Sequence, residues 1–170
     1  MENPYQSPNA DLMSTPPEND GTTMPLASKW ARLFGAIIDG IIGILIAIPF
    51  WILIGGFDMI MGGTEPPLQY TLLGGVYGFV AFLLVHGYLL KTYGQTVGKK
   101  MLGTRITDMQ GNLPAFGPLI LKRYLPISVV SIIPVIGPLL TLIDILFIFR
   151  SDRRCVHDLI AGTQVLEERK

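Results

Sequence analysis

Long apolar runs alternate with short polar interruptions along this chain. From Ala31 to Ile54 the sequence is almost wholly apolar, broken only by Arg32 and Asp39. A run of this length meets the roughly 20 residues that a bilayer core requires of a helix. Trp30 and Trp51 lie near its ends, where aromatic belts sit. Pro49 is expected to kink its outer part. A polar turn over 55–67 contains Asp58, Glu65 and Pro66-Pro67. The second run, 68–90, carries Gly74-x-x-x-Gly78, a spacing that allows close helix contact. The third block, Phe116 to Phe149, is too long for one comfortable span, and Pro134-Val135-Ile136-Gly137-Pro138 interrupts it. It reads as two short helices, 116–133 and 135–149, with one long bent helix as the alternative.

Polar segments flank these runs. Residues 1–28 hold five prolines and few large aliphatics, so they cannot offset the entropy of ordering and predict a disordered tail. The longest insert is 91–115. Its first half, Gly94-Gln95-Thr96-Val97-Gly98-Lys99-Lys100, suits a short amphipathic helix. Its second half alternates around a Gln110-Gly111 turn and predicts a small β-hairpin.

Charge orients this layout. Charged residues make up 15 % of the chain, against a soluble average of roughly 25 %. The formal net charge is zero, so no electrostatic case for nucleic acid exists. None of the 13 basic residues falls in the 55–67 loop. The positive-inside rule then places that loop outside, with the amino terminus, the 91–115 insert and the carboxyl tail inside. Insert and tail share a side only across an even number of spans, which favours a hairpin for the third block. The expected fold is an all-α polytopic membrane protein with four transmembrane helices and both termini cytoplasmic. Its transmembrane domain is 29–166, followed by a charged end, 167–170. The last two helices are short and need tilt or local bilayer thinning, unless one of them is re-entrant.

Ionisable residues within apolar spans are costly and mark candidate sites. They are Arg32, Asp39, His86, Lys122, Arg123 and Asp144. Lys122 carries the least information, because its long stem reaches the membrane surface. A rise of 1.5 Å per residue places Asp39 roughly 12 Å inside the first span and Arg123 about 10 Å into the third. The same scale puts Asp144 roughly 8 Å and His86 about 6 Å from the cytoplasmic end of their helices. All four spans thus give a polar group to one layer, with Arg32 at its mouth. One reading is a charge-neutral clasp that holds the helices in register. The other is a cation or proton site built on Asp39 and Asp144. No catalytic set, nucleotide loop or metal signature occurs, so neither enzyme activity nor a cofactor is expected. Cys155 has no intrachain partner for a disulfide; its basic neighbours raise the question of a lowered thiol pKa, with an ordinary thiol as the simpler reading.

Three ordered blocks then carry a resemblance. Ala31-Arg32-Leu33-x-x-Ala36-x-Ile38-Asp39 opens the first span. Gly94-Gln95-Thr96-Val97-Gly98-Lys99-Lys100-x-x-Gly103-x-Arg105-Ile106-x-Asp108-x-x-Gly111 follows the second. Arg153-Arg154-x-x-His157-Asp158-Leu159-Ile160-Ala161-Gly162-Thr163-x-Val165 closes the chain. Together they resemble the RDD family of bacterial membrane proteins, named for one arginine and two aspartates. The resemblance implies that Arg32 is the arginine and Asp39 the first aspartate, with Asp144 and Asp158 both carried for the second. It implies a bacterial cytoplasmic (inner) membrane location. It also implies transport of a cation, as sodium/proton exchange, or of a small ligand, in which case a homo-oligomer is expected. The alternative is a non-transporting scaffold or assembly partner. Gln95, Gly98, Lys99, Arg154, His157 and Asp158 form an expected interfacial motif. In it Asp158 caps a helix or pairs with Arg153, Arg154 or Lys99, and the lysines of the 94–100 block meet anionic lipid headgroups.

Overall fold

The computed structural model describes residues 24–133 and 136–168. Most of the expected amino-terminal tail, together with Pro134, Val135, Arg169 and Lys170, lies outside the described residues.

Helix α1 spans Lys29–Leu53 and starts where the Ser28 side chain accepts the Ala31 N–H at 3.0 Å. Pro49 lies within it. A short helix α2, Gly56–Met61, occupies part of the expected polar turn. Helix α3 spans Leu68–Tyr93 and ends on Gly94 at φ 68°, a left-handed cap. A Cβ at Gly94 would sit 2.6 Å from the Ile106 carbonyl, so this position requires glycine twice over. Both α1 and α3 are long and apolar enough to cross a membrane. Their outward faces confirm lipid as the solvent: Ile37, Ile41, Ile44 and Leu45 on α1, and Leu72, Leu73, Val76 and Leu84 on α3, are exposed. A soluble protein buries faces of this size. The two helices are tied by the Tyr77 hydroxyl, which donates to the Ile46 carbonyl at 3.1 Å, and by stacking of Phe50 on Tyr77. A Cβ on Gly74 would meet the Phe50 ring and one on Gly75 would meet Ile132, whereas among the described residues nothing lies within 4 Å of a Cβ on Gly78. The close contact therefore uses adjacent glycines on two neighbours, rather than the Gly74/Gly78 pair on one.

The third apolar block forms two helical runs. The first joins α5 (Phe116–Leu119), a π-helical turn (Ile120–Tyr124) and α6 (Leu125–Ser131). Pro126 accounts for the π turn. It has no N–H and would crowd the Lys122 carbonyl in a regular α-helix. Widening the turn, with the Leu125 N–H on the Ile120 carbonyl, accommodates it. The second run is α7 (Ile136–Leu146) with a 3-10 turn, Phe147–Phe149. The runs pack side by side, so closely that a Cβ on Gly137 would lie 2.5 Å from the Val130 carbonyl.

The polar segments build a small module at one end of these helices. It contains α4 (Val97–Met101), β1 (Thr104–Asp108), α8 (Val156–Ala161) and β2 (Thr163–Glu167). A two-stranded antiparallel unit is present, but its second strand is not the segment after Gln110-Gly111. β1 pairs with β2, Thr104 opposite Glu167 and Asp108 opposite Thr163. The expected turn still follows β1, where the Asp108 carboxylate accepts the Gln110 and Asn112 N–H groups. Leu26 bridges Leu166, the Ala27 N–H donates to Val165, and Glu167 donates to Pro25. Residues 25–28, expected within the tail, are thus part of the fold. Ala27, Leu90, Ile106, Leu119, Ile120 and Val165 form its buried core, joining both chain ends to α3 and α5.

Candidate functional site

The ionisable residues gather where this module meets the helices, in three connected groups. The first surrounds Asp39 on α1. The Gly98 N–H donates to its Oδ1 at 2.7 Å, and the Thr96 hydroxyl to its Oδ2 at 2.5 Å. Asp39 therefore caps α4 from the side, a charge-assisted arrangement at the positive end of that turn. Contact is close because both elements present glycine: a Cβ on Gly98 would fall 2.2 Å from the Gly35 carbonyl. His86 of α3 accepts the Val97 N–H on Nδ1 at 3.2 Å, completing the dock. Lys99 turns inward, its Nζ 4.0 Å from Asp39. Burial, together with nearby Arg123 and against the pull of Asp39, lowers its pKa from 10.5 to about 8. Gln95 is buried and donates to the Thr104 carbonyl and the Glu168 carboxylate. The 94–100 block was expected to rest on the membrane surface with its lysines near anionic headgroups. Only Lys100 is exposed, its Nζ 5.0 Å above the Tyr93 ring.

The second group centres on Asp158, which is fully buried. Arg32 of α1 donates to its Oδ2 at 2.5 Å, and Arg123 of the π turn donates to its Oδ1. The Cys155 N–H also donates to Oδ2, at 3.0 Å, so Asp158 at the third position of α8 caps its own helix. The Thr163 hydroxyl sits between Arg123 and Asp158. Arg32 also donates to the Arg153 carbonyl, where the backbone turns left-handed at φ 53°. Arg154 donates to the Asp158 and Thr163 carbonyls. Burial would raise the Asp158 pKa, but Arg123, His157 and Arg32 outweigh it and hold the carboxyl far below its usual range. Asp158 does cap a helix as expected. Its ion-pair partners, however, are Arg32 and Arg123, neither of which was among those expected.

The third group is Asp144 with His157. Asp144 of α7 accepts the His157 backbone N–H at 3.0 Å, and its Oδ2 lies 2.5 Å from Nδ1 of the same residue. Nε2 of His157 lies 3.8 Å from Asp158, which links this group to the second. Burial and the nearby Arg123 charge keep the His157 pKa below its ordinary value. Donor atoms of Asp144, Cys155 and His157 lie within 4.8 Å of one another, close enough to consider a metal. Each is already engaged, however. The carboxylate serves His157, and the Cys155 thiol accepts from Arg32 at 3.4 Å, which brings a cation where a metal would sit. Burial pushes that thiol up to about 12, so it is not a reactive nucleophile near neutral pH.

The layer read from depth thus exists as a buried Asp/Arg/His cluster of Arg32, Arg123, Asp158, His157 and Asp144. Asp39 and His86 belong to the adjoining α4 dock instead. Sequence reasoning missed Thr96 and Thr163 as hydroxyl bridges. Thr96 is the N-cap of α4, and Thr163 directly follows the left-handed Gly162 cap of α8; these were the available signals.

The model of the RDD family matches residues 26–162. A protein of Haemophilus influenzae named only as uncharacterized is 30 % identical over 146 residues, covering 85 % of this chain and 80 % of its own. The uncharacterized protein YckC of Bacillus subtilis is 30 % identical over 140 residues, covering 82 % and 83 % respectively. No solved structure matches the chain.

Proposed function

We propose that this chain, which belongs to the RDD family, is a multi-pass membrane scaffold whose Asp/Arg layer is a structural clasp. The observation that carries the reading is the engagement of every carboxylate in the layer. Asp39 is held by Thr96 and Gly98, Asp144 by His157, and Asp158 by Arg32, Arg123 and Cys155. An exchange site needs a carboxylate that releases one cation and takes another. Here each serves as a cap or a buried ion pair. Such pairs fix arrangement more than they add net stability. The clasp locks the module onto the end of the helices, and the β1–β2 unit with Leu26 becomes a firm docking face for an assembly partner.

In this reading the chain crosses the bacterial inner membrane four times, with α1, α3, the 116–131 run and the 136–149 run as spans. The module and both termini lie in the cytoplasm. Lys29, Lys91, Lys100 and Arg105 support that side, since all lie at the module end of the helices. Lys100 then faces anionic headgroups.

Reconstitution into vesicles with a trapped pH dye tests the function. A sodium pulse should change the dye signal no more than in protein-free vesicles. Asp39→Asn and Asp144→Asn should lower thermal stability. A sodium-driven signal in the wild type that disappears in either folded variant would establish exchange and reject the scaffold reading.

A further inference from the structure

Helix α8 is built inside out for a helix that faces water. Its His157 and Asp158 make their contacts within the protein, while Leu159 and Ile160 are exposed on its outer side. A surface helix in water shows the reverse, with apolar residues to the core and polar ones outward. Scattered exposed aliphatics are ordinary, but these two are not isolated. Ile160 walls an apolar cleft of about 220 Å³ together with Val130 of α6 and with Leu140 and Ile143 of α7. Leu140 and Ile143 are exposed too, so the apolar outer face of α7 runs on to α8. The polar side chains in that wall are engaged, Asp144 and His157 with each other and the Thr141 hydroxyl with the Gly137 carbonyl.

Depth points the same way. Helix α8 packs on the π turn, and its side chains reach Arg123 and Asp144. Those two lie roughly 10 and 8 Å from the module ends of their runs, at a rise of 1.5 Å per residue. Helix α8 therefore lies beside the membrane helices rather than beyond their ends. Hydrocarbon offers no hydrogen-bond partner, so a short helix at that depth has to satisfy its ends within the protein. The His157 N–H donates to Asp144 and the Cys155 N–H to Asp158 at one end. At the other, Arg154 covers the Asp158 carbonyl and the Gly162 N–H covers that of Leu159.

We propose that α8 is embedded in the cytoplasmic leaflet, with Leu159 and Ile160 among the acyl chains and one lipid chain seated in the α6–α7–α8 cleft. The proposal rests on the reading above that the 116–131 and 136–149 runs are spans. Its occupant follows from continuity, because the cleft opens on the same apolar outer face that α7 turns to lipid. Interfacial helices sink an apolar face to the boundary of headgroups and chains in this way. The strands β1 and β2 stay on the cytoplasmic side of that boundary. Lipid then covers the outer side of the Asp158 clasp and keeps water from it.

Spin labels read by power-saturation electron paramagnetic resonance test this. The full chain, in a Cys155→Ser background, is reconstituted in palmitoyl-oleoyl phosphatidylcholine vesicles, whose neutral headgroups remove charge attraction as a cause. Oxygen concentrates in hydrocarbon and a nickel chelate in water. A label at Ile160→Cys should be relaxed more by oxygen than by the chelate, as should one at Leu140→Cys in α7. A label at Gln110→Cys, on the exposed turn after β1, should show the reverse. Leu159→Cys gives the same reading as Ile160→Cys if the latter does not accumulate. Chelate dominance at Ile160 beside oxygen dominance at Leu140 overturns the proposal and leaves the spans standing. Chelate dominance at Leu140 rejects the span reading, and the proposal with it. Protection of Ile160 from both reagents means that a second copy covers α8, which also overturns it. So does oxygen dominance at Gln110, which would put the whole module in lipid.

Discussion

Asp158 shows what one buried carboxylate does when two arginines reach it. Arg32 arrives from α1 and Arg123 from the π turn, while its own helix supplies the Cys155 N–H. Removing the charge strands both guanidiniums in a dry site, a loss of about 3–5 kcal/mol by the usual cost of breaking a buried pair. Asp158→Asn should therefore lower the unfolding temperature in detergent sharply, or prevent accumulation. The sign of the pH effect follows from the pKa. The folded value lies well below the ordinary 3.8, so the unfolded chain binds the proton more readily. The stabilisation is full above that ordinary value and is lost as pH falls below it. An unfolding titration should stay level through neutral pH and decline below about pH 4. An Asp158→Asn protein that survives should lack that acid decline. Sequence identified Arg32 and Arg123 because ionisable groups stand out among apolar neighbours, whereas Asp158 entered only through the resemblance carried by the closing block. It did not assign partners, because rise along a helix gives depth and not direction around the axis.

Among the elements, α4 has the least structure of its own and depends most on its neighbours. Five residues make little more than one turn, so isolated helix formation is negligible. Asp39, Thr96 and His86 supply the caps, and Gly35 with Gly98 supplies the close approach. Gly98→Ala adds a methyl where the Gly35 carbonyl and the Asp39 carboxyl already lie 2.2 and 3.0 Å away. Overpacking of that kind costs about 1–3 kcal/mol. Trypsin should then cut faster after Lys99 and Lys100 in membranes opened to the module side; an unchanged cutting rate would mean that α4 docks by another contact. The helical turn was legible from its Thr-x-Gly-Lys-Lys pattern. The strand pairing was not. β1 and β2 are five residues each and stand 55 positions apart from Asp108 to Thr163, and local alternation says nothing of a distant partner. The nearby Gln110-Gly111 turn offered a closer and wrong one.

For the molecule as a whole, the apolar runs carried most of the fold, since a bilayer asks only for length and hydrophobicity. The clasp site was legible as a layer and not as a network. Its centre lies on α8, a segment of six residues whose return to the helix ends no hydropathy pattern records. The proposed topology has a direct check at Met61, the last residue of α2. In a Cys155→Ser background, Met61→Cys should react with an impermeant maleimide added outside intact cells. Reaction only from the cytoplasmic side would invert the orientation. Cys155 itself is buried, so its replacement should leave the background quiet.

The pairing of Arg32 with Asp158 also has a consequence in time. The two residues lie 126 positions apart, and Arg123 precedes Asp158 by 35. During synthesis the first helix enters the membrane with its arginine uncompensated, and the third apolar block adds another. Neither charge meets its carboxylate until α8 has been made. A product truncated before Asp158 holds both arginines without their carboxylate, and a pulse-chase should show it degraded faster than the longer chain. In the clasp reading, the network closes only once α8 has joined the helices that were made before it.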